Sequence, residues 1–443
     1  MRENRSENTG EINYVTDPVG RLYRRLLPSA IGSLLTSTVA SLIDVIILSH
    51  YLGPSMLPVI SLCMPVYMLV NTLAMLISSG AATLYAHYLG EGDREEALRY
   101  FSAATTHMLI FGGALTLVGL LFTGPVVRLL GANDAVMAPT LEYAHVLFFF
   151  MIPLMIFVQM LFFVRVDGDP NRTLASTAVC AAVNLGLDIL FVGPLGWGPR
   201  GAALATCLAY TIGMAVNLTH FLSPKNTLKL RRNCLKGRGL RMWRTGLPLA
   251  ASQLGMTVTT NVFNNVIMRA GSESYVAVYT VIIQLSMIAM AIYDGVGQTS
   301  QPIIAAATGA GLKDRIRRVF RYGVMLELIG TVALALIYIA CASPIAAMFS
   351  IKEGELLSLA LTGVRVYALS IPLTGLNSII MYYFQAQEKT GMSLVISLLS
   401  GSVLLIAALL ALTALFGEGG IWFSWVTAQA LALLVSVGFY RKA

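Results

Sequence analysis

Apolar runs of about 20 residues or more recur along this chain, and such runs leave few folds open. They fall at 27–51, 57–85, 100–124, 139–164, 173–195, 200–222, 245–269, 275–306, 319–342, 359–385, 392–416 and 420–440. A helix of that length crosses a hydrocarbon core of about 30 Å. Only 12% of the 443 residues are charged, half the roughly 25% of a soluble domain. The alternation expected of a β-barrel is absent. These features predict an all-α polytopic membrane protein with twelve transmembrane helices.

An even number of spans places both termini on one side. Counted loop by loop, 25 of the 30 lysines and arginines fall on that side, in the two tails and the loops after spans 2, 4, 6, 8 and 10. The opposite side holds Arg128, Arg200, Arg269, Lys352 and Arg365. The positive-inside rule then predicts an integral plasma (inner) membrane protein with both termini cytoplasmic. Residues 1–26 form the N-terminal tail, which lacks the short apolar core of a cleaved signal peptide. The net charge of +8 is topological, and no nucleic-acid partner is expected. Its densest part, 223–244, is expected to be a cytoplasmic linker whose charge fixes topology or touches anionic lipid. It separates a six-helix bundle at 27–222 from another at 245–440, with 441–443 the cytoplasmic end.

The two bundles share landmarks at nearly one spacing. Gly90–Phe101, GEGDREEALRYF, matches Gly309–Phe320, GAGLKDRIRRVF, at an offset of 219. The same offset carries Pro153 onto Pro372, Gly198 onto Gly417 and Gly201 onto Gly420, while Leu27-Pro28 matches Leu247-Pro248 at 220. Six spans per copy keep both copies in one orientation. Parallel repeats of this kind flank a central path and rock against each other in alternating access.

Charged side chains at membrane depth are costly and so mark function. Asp44 shares a helix face with Ser37 and Ser41, and Asn184 and Asp188 lie one turn apart in span 5. Facing one cavity, Asp44 and Asp188 would repel as like charges, which makes a shared proton or Na⁺ plausible chemistry for the pair. Asp294, with Gln298 on the same face, reads as a counter-charge for a cationic substrate. Glu142 and Glu327 read as structural. The histidines, scattered near span ends without metal spacing, read as interface anchors, and the methionines as helix packing. Cys63, Cys180, Cys207, Cys234 and Cys341 show neither disulfide nor metal spacing. No GxxxxGK[ST] loop is present, so ATP is not expected as the direct energy source.

With these residues in place the chain resembles the multidrug and toxic compound extrusion (MATE) family across all twelve spans. The resemblance is carried by Leu27-Pro28, Asp44 followed by Tyr51-Leu52-Gly53, Gly90–Asp93, and Asn184…Asp188 leading into Gly201–Thr206. It implies two six-helix bundles around a central cavity. It also implies a cation-coupled antiporter that exports amphipathic, cationic organic compounds, works as a monomer and meets no partner but substrate and membrane lipid. The branch with its cation site in the N-terminal half uses an acid on span 1, an Asn and an Asp on span 5 and a Thr on span 6. These roles fall on Asp44, Asn184, Asp188 and Thr206, with Asp44 and Asp188 also contacting substrate. In another branch acids on spans 7 and 10 do this work. Here span 7 offers Asn261, Asn264 and Asn265, and span 10 has no acid in its apolar run. The resemblance implies no cofactor beyond H⁺ or Na⁺ and no metal beyond Na⁺ at the four residues. The alternative is a lipid-linked-oligosaccharide flippase of the same superfamily, which should line its cavity with arginines. An integral-membrane enzyme finds no support, since no HExxH motif or nucleophile–base pair is visible.

Overall fold

The computed structural model describes residues 12–53, 56–270, 273–349 and 351–442. Residues 1–11 of the expected tail and the last residue lie outside this range. Short turns join most of the helices, and the longest connection, residues 223–238, links the two halves. The first half contains α1 (Val19–Leu52), α2 (Leu57–Glu91), α3 (Arg94–Leu121), the short α4 (Thr123–Leu129), α5 (Asp134–Phe149), α6 (Met151–Val166), α7 (Pro170–Val192) and α8 (Gly198–Leu218). The second contains α9 (Gly239–Ala270), α10 (Glu273–Gly309), α11 (Lys313–Ala340), the short α12 (Ala342–Met348), α13 (Gly354–Ala386), α14 (Thr390–Leu398), α15 (Leu404–Phe416) and α16 (Gly420–Lys442).

Among the described residues, nine continuous helical stretches are long and apolar enough to cross a membrane, or ten with α5 and α6 taken as one span bent by 51°. One of these stretches, Thr390–Lys442, holds two successive spans, α14–α15 and α16. Helix α9 falls short on hydropathy because Gln253 and three asparagines interrupt its apolar run. All twelve expected spans therefore have a helical counterpart. Large apolar side chains point outward, as Leu121 (67% exposed), Leu336 (61%) and Leu434 (71%) do. Water would not tolerate so much exposed apolar surface, and lipid does.

Local chemistry sets the helix ends. Asp93 caps α3 by accepting the Glu96 amide at 2.9 Å, and Asn133 caps α5 by accepting the Val136 amide at 3.3 Å. Prolines open α7 and α8 within their first two residues. The duplication is visible in the backbone. Gly92 and Gly311 turn with φ of +87° and +70°, and Gly198 and Gly417 with +56° and +64°, at the offset of 219. The short helices α4 and α12 also lie 219 residues apart. The copies differ in where a span departs from regular helix: α5–α6 breaks at Phe150, whereas α13 runs unbroken. In the second copy the departure comes in span 11, where a π turn at Leu399–Val403 joins α14 to α15.

The chain divides into two compact units, one of residues 1–17 and 24–246, the other of 18–23 and 247–443. The second unit packs around stacked aromatic rings, with Tyr275 on Trp422 at 5.5 Å and Phe263 on Tyr279 at 5.4 Å. In the first, the start of α9 crosses α2 at two glycines. A Cβ on Gly246 would lie 1.8 Å from the Leu76 carbonyl oxygen, and one on Gly80 2.0 Å from that of Met242. Gly246→Ala therefore forces the helices apart, at about 1–3 kcal/mol. A lowered thermal midpoint in detergent, with Gly113→Ala unchanged because its Cβ meets open space, is the expected result.

Candidate functional site: an acid-lined cavity in the first unit

Helix α1 supplies Asp44, α7 supplies Asn184 and Asp188, and α8 supplies Thr206. Ser37, Ser41, Asp44, Asn184 and Thr206 all line one cavity of about 220 Å³. The turn-by-turn spacing of Ser37, Ser41 and Asp44 thus places three polar groups on one wall. Asp188 is fully buried just behind this surface. Asn184 Nδ2 donates to Asp188 Oδ2 at 2.7 Å and to Thr206 Oγ1 at 3.4 Å. The two carboxyl groups lie close enough to act directly on one another, and among the described residues Oδ1 of each is buried without a hydrogen-bond partner. No basic side chain acts on either among the described residues.

Two ionised carboxylates so close repel, so the arrangement can take up a proton or a small cation between them. Carboxylate, amide and hydroxyl oxygens are hard donors, suited to H⁺ or Na⁺ rather than to a transition metal. The orphaned carboxylate oxygens fit that use. No side-chain group of three or more metal-binding residues occurs among the described residues. The rest of the wall includes Tyr67, Tyr143, Phe157 and Tyr210, with the Tyr67 and Tyr210 hydroxyls 2.5 Å apart. The sequence reading did not single out these aromatics. Their one available signal is polar-tipped rings at membrane depth.

Asp294 lies in the second unit, on a different cavity of about 140 Å³. Its Oδ1 accepts from Ser378 Oγ and the Tyr382 hydroxyl, both at 3.5 Å. Gln298 shares its helix face but turns to Tyr382 and does not line the cavity. The π turn exposes carbonyls beside this cavity, and side chains take them up: Gln429 Nε2 donates to Ser400 O at 2.9 Å and Thr259 Oγ1 to Gly401 O at 3.0 Å.

His220 departs from the sequence expectation of an interface anchor. It is fully buried, with Nε2 2.8 Å from Asp167 Oδ2 and Nδ1 3.5 Å from Asp169 Oδ2. Asp167 also accepts from the Tyr85 hydroxyl at 3.1 Å and the Thr227 amide at 2.8 Å. Asp169 pairs with Arg172 at 2.9 Å and Lys225 at 3.3 Å. Burial pushes the Asp169 carboxyl up, but the contacts with Arg172 and Lys225 outweigh it and hold the group below the usual carboxylate range. The cluster ties the end of α6, the end of α8 and the start of the basic linker together.

A duplicated helical membrane fold with acids buried at cavity walls defines the chain as a polytopic membrane transporter. The particular family follows from comparison. The MatE family model matches residues 28–190 and again 248–410, and the chain belongs to that family. It is 24% identical over 429 residues to the probable multidrug resistance protein YoeA of Bacillus subtilis, covering 94% of this chain and 92% of that one. It is 23% identical over 423 residues to the multidrug export protein MepA of Staphylococcus aureus, covering 93% and 91%. Among solved structures it resembles an outward-facing multidrug resistance MATE family transporter of the MOP superfamily, with a TM-score of 0.90, 22% identity and 97% and 96% coverage. A MATE structure in complex with MaL6 gives a TM-score of 0.90 at 22% identity, covering 97% of each chain. These relatives are transporters rather than enzymes.

Proposed function

We propose that this protein exports amphipathic, cationic organic compounds in exchange for inward H⁺ or Na⁺. The curated relatives are named for multidrug resistance and export, and this reading brings that role to the present chain. The observation that carries the coupling is the contact between Asp44 and Asp188, without a basic neighbour among the described residues, at the wall of a cavity that also offers Asn184 and Thr206. A small cation bound between the carboxyls cancels the charge that would attract a cationic substrate. The two ligands then compete, and binding of one favours release of the other.

Aromatic and hydroxyl groups on the same wall suit flat or amphipathic guests. Loading or unloading the cation would reshape α1, whose interior holds Pro28. Each inward charge supplies about 2.3 kcal/mol per 100 mV of membrane potential. Among the described residues the cavity wall carries no arginine or lysine, which disfavours a pyrophosphate-linked lipid as substrate.

The test uses everted membrane vesicles with a fluorescent cationic dye added outside as reporter, and pH and sodium gradients imposed separately. Dye transport driven by one of the two gradients supports the proposal. Transport indifferent to both, or driven only by ATP, overturns it.

A further inference from the structure

Glu327, in the middle of α11, is fully buried, and among the described residues neither of its carboxyl oxygens has a hydrogen-bond partner. The group lies directly against the backbone of α13. A Cβ on Gly375 would fall 2.4 Å from Glu327 Oε1 and 2.9 Å from Thr331 Cγ2. The glycine thus leaves the space that the carboxyl fills. The carboxyl abuts α13 at Gly375, one turn before Ser378, whose hydroxyl donates to Asp294, the acid on the 140 Å³ cavity.

The other titratable groups facing the pair are Tyr293 on α10, Tyr382 on α13 and Tyr23 at the start of α1. No lysine, arginine or histidine acts on either carboxyl among the described residues. An ionised carboxylate at Glu327 would have neither donor nor counter-charge, whereas a carboxylic acid is tolerated. Asp294 differs, because it has two hydroxyl donors and a cavity in front of it.

We propose that Glu327 and Asp294 form a proton-binding pair in the second unit, with Glu327 holding the proton against Gly375 and Asp294 passing it to cavity water. The transfer moves one proton from the Glu327 carboxylic acid to the Asp294 carboxylate, then to water. It leaves Glu327 ionised, Asp294 restored and a hydronium ion released, and no other bond changes. The pair shares no residue with the Asp44–Asp188 site. The inference goes beyond the proposed export, and its test needs no export activity.

Purified full-length protein in weak buffer is taken through an alkaline pH jump. Protons released per protein are counted with an indicator dye, and protonated carboxyl groups are followed by their infrared carbonyl band. Glu327→Gln should release one proton fewer than the parent and lack one pH-sensitive band. Asp44→Asn should keep that band, and Asp294→Asn should keep it while slowing its loss. Undiminished release with every band retained in Glu327→Gln would overturn the inference. Should Glu327→Gln fail to fold, Asp294→Asn decides, because band loss at the parental rate contradicts a relay through Asp294.

Discussion

Asp188→Asn is expected to abolish gradient-driven export while the protein still inserts and folds. Asparagine keeps the shape and can still pair with Asn184, which now donates to Asp188 at 2.7 Å. It removes the charge that repels Asp44 and so removes the reason for a cation to bind between them. Losing one coupled charge at 100 mV forfeits about 2.3 kcal/mol, or about 40-fold in the accumulation ratio. Vesicle dye transport and membrane abundance, measured together, check this. Undiminished export by the variant would contradict the coupling role.

The second large effect is expected at a distance from the cavity. Asp167→Ala strips the buried His220 of its 2.8 Å partner, leaves the Thr227 amide without its acceptor and takes one of two partners from the Tyr85 hydroxyl. Breaking a buried pair by removing one member costs about 3–5 kcal/mol. Thermal unfolding in detergent should therefore show a large drop, with proteolysis increasing in the linker after Leu222. An unchanged midpoint would mean that the cluster does not anchor the linker. The cluster should be insensitive to mild acid on its Asp169 side. A carboxyl held below its ordinary value contributes stability that is fully present above about pH 3.9 and is lost only as pH falls through the lowered value.

Much of this was legible because lipid imposes simple rules on a chain. Apolar length marks the spans, and the cost of burying charge singles out Asp44, Asp188 and Asp294 from sequence alone. The i, i+4 spacing correctly placed Asn184 beside Asp188, and Ser37, Ser41 and Asp44 on one wall. Repeated glycines exposed the duplication, since turns of positive φ recur at Gly92 and Gly311.

What stayed hidden was set by tertiary contact. Asp167, Asp169, His220 and Lys225 come from three separate segments, and a histidine near a span end looks like an interface anchor until its neighbours are known. Glu327 reads as a single polar intrusion because Gly375, which makes room for its carboxyl, lies 48 residues away. The break at Phe150 has Pro153 three residues on, but its counterpart Pro372 sits inside the unbroken α13, and the π turn at Leu399–Val403 has no local proline to announce it.

The central claim is that the Asp44–Asp188 contact holds a cation that a substrate displaces. Adding an amphipathic cationic dye to purified protein in weak buffer, and counting the H⁺ or Na⁺ set free, tests it most directly. The account predicts release of one of these cations on dye binding by the parent protein and none by the Asp44→Asn/Asp188→Asn double variant. Dye binding by the parent without release of either ion, or equal release by the double variant, would contradict it.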